Sequence, residues 1–131
     1  MSPLTFRRIL LLNATFSLAS GILMVVFREQ LARNLGLADP ILLLVVGIGV
    51  SFFGGHIAIS ARRENLNILE LRYFAIMDGV WVAVSAALVL LIPMPVAGFW
   101  LVVGTALVIT DFGILELIGI RSLPHPREQS A

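Results

Sequence analysis

The sequence predicts an all-α integral membrane protein, a single four-helix bundle across residues 1–131. Three observations carry this. The chain is 59% apolar and 13% charged, where soluble domains run at roughly half and a quarter. Its apolar residues fall into four runs, each close to the ~20 residues a helix needs to cross a hydrocarbon core. The charged residues gather mainly in the breaks between those runs. The runs are continuous rather than alternating, which excludes a membrane β-barrel.

The first run extends from Ile9 to Phe27. Arg7-Arg8 before it and the small residues near Ser17 and Ala19 resemble a signal peptide. The apolar stretch continues without interruption to Phe27, so the segment reads as a span. Asn13-Ala14-Thr15 fits a glycosylation sequon but lies inside that span, beyond the reach of a transferase. From Phe27 to Leu35, apolar residues recur every four positions, which predicts a short amphipathic helix on the outer membrane surface. Asp39-Pro40 reads as an N-cap with proline at the first helical position, opening a second span over Ile41–Ser60. Ala61-Arg62-Arg63-Glu64-Asn65 is too polar for lipid. The third span covers Tyr73–Ile92. Ile92-Pro93-Met94-Pro95 cannot continue a helix, and the fourth span covers Ala97–Ile120. The end of the chain, residues 121–131, is expected to be a short cytoplasmic tail, disordered from Pro124 to Ala131.

Orientation follows from the arginines. Arg7, Arg8, Arg62, Arg63, Arg72, Arg121 and Arg127 lie on one side of the predicted spans, Arg28 and Arg33 on the other. The positive-inside rule then expects both termini and the middle loop in the cytoplasm. All nine basic residues are arginine, which points to a GC-rich bacterial genome and so to the inner membrane.

A shift of 65 positions lays the first span on the third, matching Arg7 with Arg72, Asn13 with Asp78, Phe16 with Trp81 and Ser20 with Ser85. The second and fourth match more loosely, through Phe53-Gly54 with Phe112-Gly113 and Arg62 with Arg121. A tandem repeat of two helical hairpins is the organisation this suggests, with a pseudo-two-fold along the membrane normal.

Ionisable and amide groups inside a bilayer are costly and mark functional candidates. Five stand out: Asn13, His56, Asp78, Asp111 and Glu116. Counting from the flanking arginines at 1.5 Å per residue, Asn13, His56, Asp78 and Glu116 lie at one level, roughly 8–9 Å inside the cytoplasmic boundary. Asp111 lies roughly 15 Å in. One polar residue per helix at one level predicts a polar layer, with His56 as the partner of Asp78. The layer serves either as interhelical bonding that fixes register or as a cavity for a polar ligand or a proton. Trp81 shares the Asp78 face, as core filler or as a stacking surface for a ligand. Asp111 and Glu116 stand about 140° apart on their helix, so one of them faces a partner or a second cavity. Small residues at Gly47, Ser51, Gly54 and Ala58, and at Gly79, Ala83 and Ala86, form stripes that suit close helix packing or a dimer seam.

Net charge of +1 gives no argument for nucleic acid, and the absence of cysteine removes disulfides and thiolate chemistry. No Walker loop, dinucleotide fingerprint, nucleophile elbow or HExxH is present. A metal site from His56, Asp78 and Glu116 lacks ligand-spacing support, and no cofactor is expected. The leading expectation is a non-enzymatic interaction or accessory protein, embedded in the lipid bilayer as a homo-oligomer or within a larger membrane complex. The alternatives are a small transporter or proton-coupled permease, and a membrane enzyme using His56 and Asp78 as an acid–base pair on a lipophilic substrate.

Overall fold

The computed structural model describes residues 1–123 as five helices: α1 (Pro3–Val26), α2 (Arg28–Leu35), α3 (Ile41–Arg62), α4 (Ile68–Leu91) and α5 (Val96–Ser122). All but α2 are long and apolar enough to cross a membrane. The expected disordered segment Pro124–Ala131, with Arg127, lies outside the described residues.

Three helices, α1, α3 and α4, start where a side chain accepts from one of their first amides. Ser2 Oγ accepts from the Thr5 amide at 3.2 Å ahead of Pro3. Asp39 Oδ1 accepts from Ile41 N at 2.9 Å, and Asn67 Oδ1 accepts from Leu69 N at 2.9 Å. Such caps satisfy donors that a helix cannot bond itself. They explain why α1 and α4 begin at Pro3 and Ile68, ahead of the expected Ile9 and Tyr73. Arg7, Glu70 and Arg72 are too polar for hydrocarbon, but they continue the helix into the interface. At the other end of α3, Arg7 acts as a cap from a different helix. Its guanidinium donates to the carbonyls of Ala61 at 2.6 Å, Arg63 at 2.5 Å and Glu64 at 2.7 Å.

In lipid there is no hydrophobic drive between helices, so close backbone approach has to supply the packing. α1 lies against α3, and α4 against α5. The α1–α3 seam is glycine-built. A Cβ on Gly54 would stand 2.9 Å from Leu18 N, and one on Gly47 would stand 2.8 Å from Gly21 O. These two members of the span-two small-residue stripe therefore serve packing within the chain. Gly79 meets nothing, and Ala83 and Ala86 are exposed on the outer side of α4. The hairpins join through α1 and α5, where the Phe6 ring sits against Gly119 and Phe16 faces Phe112 at 6.0 Å between centroids.

The backbones of α3 and α4 stand apart. They meet at the arginine-rich end through Phe53, His56, Tyr73 and Phe74, with ring centroids 5.0–6.2 Å apart. The buried core of Phe6, Leu10, Ala14, Ile57, Ala61, Leu71 and Phe74 occupies the same end. At the opposite end α2 closes over the bundle. It turns back at Gly36, whose φ of 72° is left-handed, the conformation glycine adopts at no steric cost. Leu31 and Leu35 of α2 line an inner space with Met24, Leu43, Trp81 and Ser85. The expected surface helix thus turns these two leucines onto the bundle and leaves Phe27 outside. α1 and α4 are both 24 residues long and start 65 positions apart, the offset seen in the sequence.

Candidate functional site

The glycine seam of α1 and α3 and the Gly119 notch on α5 hold α1 between its neighbours. This presents Asn13 to both α4 and α5. Asn13 is fully buried. Its Nδ2 donates to Asp78 Oδ2 at 3.1 Å and to Glu116 Oε1 at 2.5 Å, while its Oδ1 accepts from Ser17 Oγ at 3.2 Å. The two carboxyls thus accept from the same amide nitrogen. Three helices are tied by one amide. Glu116 Oε2 is buried and finds no donor among the described residues.

Asp78 is also part of a cavity wall. A space of about 460 Å³ lies between the hairpins, lined by Phe16, Ser20, Phe53, His56, Asp78 and Trp81 among others. Gly49 and Phe52 on α3 and Tyr73 and Met77 on α4 line it and are exposed, so the cavity opens where α3 and α4 part. It shares Ser20, Met24, Val46, Trp81 and Thr105 as walls with a separate space of about 290 Å³ beneath α2. Trp81 borders both. Its indole Nε1 is buried and finds no acceptor among the described residues. A pocket of this size with an apolar lining and a few convergent polar groups is the usual form of a small-molecule site.

Of the five polar residues singled out, Asn13, Asp78 and Glu116 come together. His56 does not join them. It lines the cavity mouth and stacks edge-on against Phe74 at 5.0 Å, with Nε2 3.9 Å from Glu70 Oε1. Equal depth did bring His56 to the cavity, but its face of α3 points along the mouth to Glu70. The carboxyl beside Asp78 is that of Glu116. Asp111 is exposed on the outer side of α5, away from the cluster. Trp81 lines the cavity, while its buried Nε1 finds no acceptor among the described residues.

Two further residues take part, of which Glu70 was not singled out from the sequence. Ser17 shares the Asn13 face of α1 and completes the bonding of the amide. Glu70 organises the mouth, accepting from Ser60 Oγ at 2.7 Å and from Arg63 at 2.7 Å. An acidic residue three positions after an asparagine cap was the available signal for Glu70. Among the described residues no three histidine, aspartate or glutamate side chains gather as a metal site requires. No known protein family, characterised protein or solved structure matches this chain.

Proposed function

We propose that this protein is a non-enzymatic multi-pass protein of the bacterial inner membrane, with both termini cytoplasmic, that binds a lipophilic cation inside the bilayer. One observation carries the reading. The Asp78 carboxyl forms part of an aromatic-walled cavity, is backed by the Glu116 carboxyl, and has no cation beside it among the described residues.

Two ionised carboxyls around one buried amide would repel each other in a medium that screens poorly. The pair therefore needs either protons or a positive partner. The cavity offers that partner a place. Phe16, Phe53 and Trp81 supply ring faces that attract a cation, and they also cover its apolar substituents. The opening between α3 and α4 faces the lipid, so a ligand dissolved in the bilayer can enter sideways.

A proton-coupled permease is the second reading, and the shared carboxyl position favours it. If a cation displaces a proton from Asp78 and Glu116, binding of one excludes the other, which is the exchange a coupled carrier needs. The enzyme reading loses its acid–base pair, because His56 is turned to Glu70.

Tetraphenylphosphonium and tetraphenylborate have the same shape and opposite charge. Titrated against protein in lipid nanodiscs, in a Trp100→Phe background, the cation should quench Trp81 saturably and the anion should not. Asp78→Asn keeps hydrogen bonding and should abolish the saturable response. Equal responses to the two ions, or a response unchanged in Asp78→Asn, would refute the assignment. Proton release on cation binding would select the permease reading.

A further inference from the structure

α5 is the least buried of the four membrane-length helices. Its outer side carries Asp111, which is exposed. The residue sits roughly 16 Å along the axis from Ser122 and roughly 22 Å from Val96, so its carboxyl meets the lipid near the bilayer centre. No hydrogen bond or ion pair reaches it among the described residues. An acidic side chain in that position is expensive against hydrocarbon, whereas one that meets another polar group is not.

The surroundings of Asp111 have the form of a helix seam. Leu101, Gly104, Val108, Asp111, Leu115 and Ile118 are all exposed and recur at alternating spacings of three and four. That 3.5-residue period is the one two helices share when they wind around each other left-handedly. Gly104 fits the same purpose. Gly21, Gly47, Gly54, Gly98 and Gly119 each admit a close neighbour within the chain, whereas a Cβ on Gly104, like one on Gly49, Gly55 or Gly79, would meet nothing. The small size of Gly104 is unused by the monomer, and the residue lies about two turns from Asp111 on the seam.

We infer that α5 is a homodimer interface in which Asp111 meets Asp111 of a second copy. All copies insert with the same orientation, so a two-fold axis along the membrane normal brings this residue to its own equivalent at equal depth. Two neutral carboxyls then bond reciprocally, each donating its O–H to the other. Every polar atom is satisfied by the one chain. A foreign partner would have to bring its own polar group to that depth. Within this chain no arginine or histidine of the spans lies at the level of Asp111, so the self-pair is acid to acid. Apart from Leu101, which also borders the space beneath α2, the seam residues line neither cavity.

The chain has no cysteine, so single cysteines can be introduced directly. Leu101→Cys, Gly104→Cys, Val108→Cys and Leu115→Cys should form disulfide dimers on oxidation in liposomes at high lipid excess. Leu12→Cys on α1 and Val84→Cys on α4, both lipid-facing, should not. Energy transfer between labelled copies should persist in Asp111→Asn, whose amides also pair reciprocally, and fall at least tenfold in apparent affinity in Asp111→Leu. Asp111→Leu places an apolar side chain against lipid, so folding is not at risk, and Trp fluorescence checks it. A protein that is monomeric in these liposomes, cross-links at Leu12→Cys or Val84→Cys equal to those on the seam, or an undiminished Asp111→Leu dimer would each overturn the inference. Association only after addition of other membrane proteins would do so as well, by showing that the face belongs to a foreign partner.

Discussion

Replacing Asn13 with leucine tests the polar cluster most directly. The change keeps a side chain of similar length and removes the amide that ties α1 to α4 and α5. Three hydrogen bonds go with it: those to Asp78 Oδ2 and Glu116 Oε1, and the one from Ser17. Two of these are interhelical, and such bonds in bilayers contribute ~0.6–2 kcal/mol each, so the loss should be about 1–4 kcal/mol, weighted upward because two carboxyl oxygens are left buried without a donor. The assay is reversible unfolding in bicelles against a rising fraction of denaturing detergent, followed by Trp fluorescence. Asp78→Leu and the double variant complete a cycle. Removing Asp78 after Asn13 should cost less than removing it alone, with a coupling of about 1–2 kcal/mol. A loss under ~0.5 kcal/mol for Asn13→Leu, or strictly additive losses, would mean that the amide and the carboxyls do not act as one unit.

Arg7→Lys should destabilise by about 1–2 kcal/mol, because an ammonium cannot reach three carbonyls with the fork geometry of the guanidinium; chemical unfolding of the two proteins side by side measures it. Gly54→Leu should lower the stability of the single chain by at least ~1–3 kcal/mol by forcing α1 off α3, and it should do so at dilutions where no oligomer forms, which thermal unfolding in detergent would reveal. Reporter fusions after residue 131 and within the Pro93–Pro95 turn should give opposite topologies, with the terminal fusion cytoplasmic; a periplasmic reading at residue 131 would reverse the orientation.

The sequence by itself determined the architecture. Four apolar runs, proline and asparagine punctuation and the arginine-rich breaks were enough to define four membrane-length helices, because a bilayer demands that every backbone group be bonded within its own segment. Helix ends were less legible. A hydropathy window stops at Arg7, Glu70 or Arg72, whereas a helix stops where capping stops, at Ser2 and Asn67. Depth was legible too, since rise per residue is fixed, and it brought Asn13, Asp78 and Glu116 to one level. What depth cannot specify is which faces meet. That is set by helix rotation and crossing, which follow from the close approach of Gly21 to Gly47, of Gly54 to α1 and of Phe6 to Gly119. Only the packed structure decided that Asn13 joins Asp78 to Glu116, that His56 turns to Glu70, that Arg7 caps α3 rather than serving as a topology signal alone, and that Asp111 is left facing outward. Each of these outcomes depends on a contact between residues more than ten positions apart or on the lack of one, and a linear pattern carries no record of such contacts.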